Sequence, residues 1–354
     1  MNYIVHFILH SYKTILSKMV ILCLIHLVIG CKKTETAVSP DSTNDKSIVG
    51  IHGSLKVLGN KIVDKDDKVI VLRCMSLFWS QWGGNFYNES CIKWLSDDWK
   101  CTVVRASIGI ESGGYLINQQ VEYKKVTTVI DACIKYGIYV IVDWHDHNAQ
   151  DHLQQSKTFF ASIAQKYGAN PNIIYEIYNE PLQVSWNAVI KPYATEVINT
   201  IRQYDKSNLI VVGSSNWSQD VDVAAKDPIV GSNISYALHF YTSTHTQSLR
   251  NKAIAAMNAG AALFVTEFGI SEASGDGKIN YTETNNWINF LETYNLSICN
   301  WSIIDKNESS AALKSGTSYT GNWTQSNLSE SGNFNRSYII SKNSGISSSI
   351  GESK

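Results

Sequence analysis

Residues 126–145 read VTTVIDACIKYGIYVIVDWH and contain one complete unit of a repeated helix-and-strand pattern. Apolar residues at positions 126, 129, 130 and 133 follow the spacing i, i+3, i+4 and i+7, which predicts a helix with one buried face, and Gly137 is typical of a helix end. The run Tyr139–His145 is too short and too uniformly apolar for an amphipathic helix, and is typical of a strand buried on both faces. The stretch therefore predicts a helix that leads into a strand of a covered, parallel sheet.

Similar apolar runs occur eight times along the chain, with helical patterns between them. The predicted strands are Val69–Phe78, Cys101–Ile108, Tyr139–His145, Ile173–Glu180, Leu209–Ser214, Ile234–Tyr241, Ala262–Gly269 and Leu296–Ile303. Eight such units over roughly 290 residues predict an α/β fold, a (β/α)8 TIM barrel. Ser54–Val57 and Lys61–Val63, around Leu58-Gly59-Asn60, predict a short N-terminal β-hairpin before it. An open doubly wound sheet is the alternative, but neither GxGxxG nor GxxxxGK[ST] follows the first strand.

The first thirty residues have the pattern of an export signal. Two lysines are followed by the apolar run Val20–Gly30 and then by Cys31, with no acidic residue among them. A run of about eleven residues is too short to cross a bilayer. Because Val28-Ile29-Gly30-Cys31 resembles the bacterial lipobox, we expect residues 1–30 to be a lipoprotein-type signal peptide, with an ordinary signal peptide as the alternative.

This prediction divides the rest of the chain into three parts. Residues 31–49 are interpreted as a flexible tether, residues 50–340 as the barrel domain, and residues 341–354 as a disordered tail. We expect the protein to be secreted across the inner membrane and lipid-anchored at the bacterial cell surface or the periplasmic face of the outer membrane. Its membrane contact would be only through the lipid at Cys31, and no protein partner can be inferred from the sequence.

Charge and cysteine content exclude several classes of protein. The 30 basic and 31 acidic side chains give a net charge of −1, so nucleic acid is not an expected partner. A hydrophobic content of 44% excludes overall disorder. Seven cysteines are too few for a disulfide-built fold of this length, and no Cys/His spacing suggests a metal centre. Five lie in the barrel region, where their pairing stays open: Cys74, Cys91, Cys101, Cys133 and Cys299. A role as a small buried hydrophobe is favoured for all of these except Cys91.

Polar residues collect where the predicted strands end, which is where the active sites of (β/α)8 barrels lie. Ionisable groups at the end of an apolar strand are costly to bury unless they serve one another or a ligand. Six strands have such endings, so we interpret them as parts of one site. The residues are Arg105, Asp143-Trp144-His145, Tyr178-Asn179-Glu180-Pro181, His239-Phe240-Tyr241, Thr266-Glu267-Phe268-Gly269 and Trp301.

Glu180 and Glu267 end predicted strands that are three apart, so they should face each other across the mouth of the barrel. Two carboxyl groups about 5–5.5 Å apart can cleave a glycosidic bond with retention, since one protonates the leaving oxygen and the other attacks the anomeric carbon. Arg105 is the cation expected to keep one of them ionised. The residues alone leave open which glutamate has which role, and the alternative is a pair of salt-bridge partners at the barrel rim.

Together these motifs resemble glycoside hydrolase family 5, most closely its bacterial endo-β-1,4-glucanase (cellulase) branch, over about residues 52–340. The resemblance implies double displacement with retention at internal β-1,4 linkages of cellulose or related β-glucans, with Glu180 as general acid/base and Glu267 as nucleophile. It implies a β-glucan polysaccharide as the substrate, and no cofactor or metal. The matching motifs are Val104-Arg105-Ala106, Asp143-Trp144-His145, Tyr178-Asn179-Glu180-Pro181, His239-Phe240-Tyr241, Val265-Thr266-Glu267-Phe268-Gly269, Asn300-Trp301-Ser302 and the segment 305–313.

The resemblance also implies roles for the surrounding residues. Arg105 and Tyr241 would hydrogen-bond the nucleophile. Asn179 would hold the sugar 2-hydroxyl, and His239 would tune the acid/base. His145, Trp301, Lys306 and Glu308 would contact sugar hydroxyls or ring faces. Independently of the resemblance, Trp82 and Trp217 stand in polar stretches near strand ends, so we expect them to be exposed and to stack on sugar ring faces.

Two positions depart from the family pattern. Phe78 stands where many relatives have a histidine, and Gly109 where a tyrosine is common after the second strand. In relatives both positions line subsites on the non-reducing side of the scissile bond, so the affinities of those subsites do not transfer to this chain.

Three alternative functions remain open. His145-Asp146-His147 with His239 and Asp305 could form a metal-dependent, amidohydrolase-like site, although this leaves both glutamates unexplained. A non-catalytic, surface glycan-binding lipoprotein would explain the aromatic residues but not the opposed carboxylates. Within glycosidases, an endo-acting hydrolase of mixed-linkage β-glucan, xyloglucan or mannan is the alternative, since loop contacts decide the substrate.

Overall fold

The computed structural model describes residues 46–344. The predicted signal peptide with Cys31, most of the tether and the tail from residue 345 lie outside the described residues. Helix α1 (Ile48–His52) opens the described part; the Ser47 side chain caps it, and its first two residues are buried. The tether therefore ends earlier than the predicted boundary at residue 49, and the last helix runs to Asn343, past the predicted end of the domain at 340, because apolar side chains at both ends pack into the core.

Two short strands, β1 (Lys56–Leu58) and β2 (Lys61–Val63), form the predicted antiparallel hairpin. Eight parallel strands then form a closed barrel, which confirms the predicted (β/α)8 architecture. Each barrel strand pairs with the next along the chain, and the last pairs with the first. These strands are β3 (Arg73–Leu77), β4 (Val103–Gly109), β5 (Tyr139–His145), β6 (Ile173–Glu176), β7 (Ile210–Val212), β8 (Ile234–Tyr241), β9 (Leu263–Gly269) and β10 (Ile298–Ile303).

Helices alternate with the barrel strands. The helix predicted before β5 buries the apolar residues at positions 126, 129, 130 and 133, and ends just before Gly137, which has a left-handed φ of 65°. The helices that follow α1 are α2 (Ser80–Gly83), α3 (Glu89–Asp97), α4 (Gln119–Lys135), α5 (Leu153–Tyr167), α6 (Lys191–Tyr204), α7 (Ser215–Ser218), α8 (Val221–Lys226), α9 (Gln247–Asn258), α10 (Tyr281–Tyr294) and α11 (Glu330–Asn343).

Strands β4, β5, β8, β9 and β10 are buried at every position. Barrel side chains cover one face and helices the other, which explains why the sequence shows continuous apolar runs instead of alternation. The hairpin packs at the end of the barrel where the strands begin: the Val57 N–H donates to Asn233 Oδ1 (3.1 Å), and Lys61 Nζ to the Tyr294 carbonyl (2.7 Å). The polar strand ends lie at the opposite end.

One disulfide joins the first and last strands of the barrel. Cys74 in β3 and Cys299 in β10 are register partners with Cα atoms 4.5 Å apart, and their sulfurs are bonded. The interpretation of these two cysteines as small buried hydrophobes is therefore wrong, because barrel closure brings together residues that are far apart in the chain. Cys91, Cys101 and Cys133 are buried free thiols, and for Cys101 and Cys133 this is what that interpretation expects.

The fourth barrel strand ends earlier than predicted. β6 stops at Glu176, after which the Ile177 N–H still donates to the Val211 carbonyl (3.1 Å), but the Asn179 N–H turns to the Trp144 carbonyl (3.3 Å) on the other side. Pro181, which has no N–H, also disfavours continued pairing. Glu180 thus lies on a short segment above the strand. Within residues 46–344, no helix has the length and apolarity required to cross a membrane.

Candidate active site

Glu180 and Glu267 converge at the open end of the barrel. One carboxylate oxygen of each and one ring nitrogen of His239 all lie within 4.8 Å of one another. This separation fits the spacing of about 5–5.5 Å that retaining glycosidases use, and falls short of the roughly 6.5–9.5 Å of inverting enzymes. The predicted convergence of the two glutamates is therefore confirmed.

Two donors hold the Glu267 carboxylate. Arg105 Nη1 donates to Oε2 at 2.9 Å, and the Tyr241 hydroxyl donates to Oε1 at 2.8 Å. Burial, followed by the charge of Glu180, raises the pKa of Glu267, while Arg105, His239 and Tyr241 act in the opposite direction. The carboxylate is thus fixed in orientation, with the two contacts that the sequence predicted.

His239 contacts the other glutamate. Its Nδ1 lies 3.0 Å from Glu180 Oε1, and its ring is buried. Burial alone would lower the pKa of His239, but its contacts with Glu176 and Glu180 outweigh burial and raise this pKa to about 9. Because residues two apart on a strand point to the same side, His239 and Tyr241 reach one carboxylate each, as predicted.

Arg105 lies at the centre of the site and is fully buried. Its Nε and Nη2 form a fork on Glu176 at 2.7 and 3.2 Å, and Nη2 also donates to Asn179 Oδ1 at 2.6 Å. Asp143 Oδ2 lies 2.9 Å from the same Nη2. Burial disfavours the charge of Arg105, but the charges of Asp143, Glu176 and Glu267 overcome this effect and raise its pKa.

Three residues of this network were not among the predicted site residues. Glu176 is fully buried on Arg105, Thr266 donates to Glu176 Oε1 at 2.6 Å, and Asp143 Oδ2 lies 2.6 Å from His145 Nδ1. The signal for Glu176 was an acidic residue inside a strand that is otherwise apolar, because such a group needs a partner. Asp143 and Thr266 stood in the quoted motifs, but nothing in those motifs distinguished them from structural residues.

An open cleft surrounds the two glutamates. Two adjoining cavities of about 450 and 420 Å³ share Glu180, Glu267, Tyr241 and Trp217, and so form one continuous space. The remaining predicted sugar-contacting residues line the second cavity: Trp82, His145, Trp301, Lys306 and Glu308. All the predicted site residues are thus brought together, with Arg105 and Asn179 beneath the floor.

The tryptophans of the cleft differ in exposure. Trp82 is 59% exposed and Trp217 is 38% exposed, which confirms the expectation for both, whereas Trp301 is only 5% exposed. Trp301 stacks on His145, with ring centroids 5.1 Å apart and an angle of 3° between the planes. Trp79 packs edge-on against His145, with ring centroids 4.0 Å apart. Two indole rings therefore contact the His145 ring.

Trp217 is tied to the segment that carries Glu180. Residues 216–218 all have left-handed φ values between 56° and 61°, which non-glycine residues rarely adopt. The Trp217 N–H donates to the Pro181 carbonyl at 2.8 Å, and the Asn216 N–H to the Leu182 carbonyl at 3.0 Å. These bonds hold the backbone of residues 216 and 217 against the segment that follows Glu180.

The structure shows what surrounds Phe78 and Gly109, the two positions that depart from the family pattern. Phe78 packs on Trp301 with ring centroids 5.3 Å apart, and Lys306 Nζ lies 5.6 Å from the Phe78 ring centroid. At Gly109, an added Cβ would lie 1.6 Å from Gln81 Oε1. The Gln81 side chain therefore occupies the space that a residue with a side chain would need at position 109.

The alternative metal site does not assemble. Among residues 46–344, the acid and histidine groups close enough to share an ion are Glu180–His239–Glu267 and Glu111–Asp146–His152. His145 is instead held by Asp143, and Asp305 accepts the Gly316 N–H at 3.1 Å. The interpretation as an amidohydrolase-like site is therefore wrong, because His145 and Asp305 belong to neither group.

Comparison with known proteins agrees with this geometry. The family described as cellulase (glycosyl hydrolase family 5) matches residues 63–307. Endoglucanase Z from Dickeya dadantii is 48% identical over 291 residues, which cover 81% of this chain but only 66% of that protein. A solved structure from Cytophaga hutchinsonii has 51% identity and a TM-score of 0.84, over 85% of this chain and 99% of that one. The catalytic domain of Thermobifida fusca endoglucanase Cel5A, solved with cellotetraose, has 34% identity and a TM-score of 0.79, over 82% and 98%. The chain therefore belongs to glycosyl hydrolase family 5, the cellulase family.

Proposed function

We propose that this protein is a retaining endo-β-1,4-glucanase that hydrolyses internal β-1,4 linkages of cellulose or related β-glucans by double displacement. The observation that carries the proposal is the pair of carboxylates within 4.8 Å in an open, aromatic-lined cleft. The relatives named endoglucanase, and the relative solved with cellotetraose, support a β-glucan substrate.

In the first step, an oxygen of Glu267 attacks the anomeric carbon while Glu180 transfers its proton to the glycosidic oxygen. The bond to the leaving sugar breaks, and a covalent glycosyl–enzyme forms. In the second step, Glu180 takes a proton from water, and the water oxygen attacks the same carbon and releases Glu267. Two inversions at one carbon give net retention.

The polar neighbours assist each step. Arg105 and Tyr241 orient Glu267 for attack, since each donates to a different carboxylate oxygen. Asn179 is buried, its Oδ1 is engaged by Arg105, and its Nδ2 has no hydrogen-bond partner within the described residues. This amide donor lies next to Glu180 in the chain and is available for the sugar 2-hydroxyl.

The form of the cleft favours cleavage within a polymer. Trp217 borders both cavities at the carboxylates, whereas Gln219 and His245 line only the first cavity, and Trp82, Lys306 and Glu308 line only the second. The exposed indole faces can stack on the apolar C–H faces of glucose rings, while the Lys306–Glu308 ion pair offers polar contacts to hydroxyls. A chain that extends both ways from the scissile bond is thus accommodated.

The test is the variant Glu267→Gln. It should lower hydrolysis of carboxymethylcellulose about a thousandfold or more and leave cello-oligosaccharide binding nearly intact, because the shape is kept and the nucleophile is lost. Glu196→Gln, at an exposed helix position, is the matched control and should be fully active. Equal activity of both variants would reject the nucleophile assignment, and an inactive wild type that still binds glycan would favour the glycan-binding alternative.

The preferred polysaccharide is a separate question. Product analysis on carboxymethylcellulose, mixed-linkage β-glucan, xyloglucan and mannan should give the highest kcat/KM on a β-1,4-glucan. Proton NMR of the early products should show the β-anomer first, as retention requires. Early α-anomer would contradict double displacement.

We also propose that the protein is exported and lipid-anchored through Cys31, on the basis of the apolar run and the motif that precede it. Metabolic labelling with a radioactive fatty acid should mark the wild type and not Cys31→Ser. Labelling of both proteins, or of neither, would reject the anchor.

A further inference from the structure

A chain of buried hydrogen bonds runs behind the two catalytic glutamates. It leads from Glu180 to His239, then through the Thr266 hydroxyl to Glu176, and from Glu176 through Arg105 to Glu267. Neither Thr266 nor Glu176 has any exposed surface, and unlike the amide nitrogen of Asn179 their polar groups are already bonded to His239, to Arg105 and to each other, so neither is placed to bond substrate. Their effect must pass through the groups that they contact.

The Thr266 hydroxyl fixes the direction of this chain. A hydroxyl has a single proton, and an ionised carboxylate can only accept. The 2.6 Å contact with Glu176 Oε1 therefore uses the hydroxyl proton, so the same oxygen can only accept from His239 Nε2 at 2.9 Å. His239 must then have a proton on Nε2, and its other nitrogen, Nδ1, faces Glu180.

We propose that Glu176 and Thr266 are positioning residues that hold a proton on His239 Nε2, so that His239 Nδ1 and Glu180 share the one proton that is delivered to the leaving oxygen. The inference rests on the proposed function. When Glu180 is protonated, the bare Nδ1 accepts from it; when Glu180 is ionised, the imidazolium Nδ1–H donates to it. In the other tautomer of neutral His239, Nδ1–H would donate to Glu180 Oε1, so the acid proton would have to be on Oε2, where the ring could not share it.

Charged groups around His239 determine how strongly His239 and Glu180 hold the proton that they share. Glu176 Oε1 lies 3.5 Å from Nε2, and Arg105 and the contacts with His239 keep Glu176 ionised by lowering its pKa against the effect of burial. The raised pKa of His239 agrees with a surplus of negative neighbours. The titratable groups that interact with His239 are Glu176 and Glu180 from β6 and its following segment, Glu267 from β9, and Asp143 and His145 from β5. Arg105 from β4 and Tyr241 from the same strand as His239 contact Glu176 and Glu267 instead.

The test compares Thr266→Val, which loses the hydroxyl at nearly constant volume, with Thr266→Ser, which keeps it. The substrates are cellotetraose, whose sugar leaving group needs protonation, and 2,4-dinitrophenyl β-cellobioside, whose leaving group does not. For Thr266→Val, kcat/KM on cellotetraose should fall about tenfold or more. The alkaline limb of the pH profile of this kcat/KM should move to lower pH by roughly one unit. Activity on the dinitrophenyl substrate should stay within about threefold, and Thr266→Ser should resemble the wild type.

Nitrogen-15 NMR of the wild-type His239 ring provides a readout that needs no variant. Its Nε2 should remain protonated on both sides of the titration. A neutral ring with its proton on Nδ1 would overturn the inference, as would equal losses of Thr266→Val on both substrates, which indicate a general structural role. An unchanged pH profile would also overturn it. If the wild-type protein is inactive on both substrates, the proposed function is overturned instead. This outcome is seen in the wild type alone, so it can be told apart from a failure of the inference about Thr266 and Glu176.

Discussion

Loss of the Cys74–Cys299 disulfide should destabilise the protein without changing its fold. The bond joins residues 225 apart in sequence, at the seam where β10 meets β3. In the chain-entropy treatment, a cross-link that closes a loop of this length lowers the conformational entropy of the unfolded chain by about 18 cal/mol/K. This loss stabilises the folded protein by about 5 kcal/mol at 25 °C, which is at the upper end of the values measured for disulfides. For a domain of about 300 residues, this corresponds to a fall in Tm of about 8 °C.

The assay is thermal unfolding, followed by circular dichroism, of the wild type and of the double variant Cys74→Ala/Cys299→Ala. Cys133→Ala is the control, because it removes a buried sulfur that is not part of a cross-link. The double variant should lose several degrees more than the control and keep the same spectrum at 25 °C. Equal midpoints for the two variants, or peptide mapping that recovers Cys74 and Cys299 as free thiols in the oxidised protein, would refute the reasoning.

Three further outcomes are expected. Trp217→Ala should raise KM for cello-oligosaccharides about tenfold with little change in Tm, because the indole is partly exposed and contributes stacking; an unchanged KM would contradict its role. Hydrolysis should survive dialysis against a chelator, and a loss that divalent metal restores would oppose the two-carboxylate mechanism. Although burial opposes the shift, hydrogen bonds from Tyr338, Arg73 and Lys342 lower the pKa of Glu292 to about 2. The wild type should therefore have a larger free energy of unfolding in urea than Glu292→Gln. This difference should be full above about pH 4.3 and disappear as the pH falls towards 2, and a difference that does not depend on pH would contradict the reasoning.

The order of the barrel strands was predictable because each strand is buried on two sides and leaves a continuous apolar run. Tyr139–His145 and Ile234–Tyr241 match the prediction at both ends. Ile173–Glu180 does not, because the regular strand ends at Glu176, although the apolar residues Ile177 and Tyr178 that follow still bond to the segment 211–213. An apolar run in the sequence shows which residues are buried. Where a strand ends depends on hydrogen-bonded pairing with the neighbouring strands, which the run does not show.

The two glutamates were predictable because each lies near the end of a predicted apolar strand and stands within a motif of the family. Glu176 was missed, although it contacts Arg105 more closely than either of them does. The disulfide was missed for a similar reason: nothing near Cys74 in the chain points to Cys299. In both cases the partner lies on a strand that is distant in sequence.

The amino-acid sequence by itself determined the repeating order of strands and helices and the end of the barrel that carries the site. It also determined which acidic, amide and aromatic residues gather there. These features depend on local hydrophobicity and on the order of the elements along the chain. Only the tertiary structure decided which oxygen of each carboxylate meets which donor, which nitrogen of His239 faces Glu180, and which cysteines are joined. Hydrogen bonds and covalent bonds depend on distances of a few tenths of an ångström, and closing the barrel is what sets those distances between residues far apart in the chain.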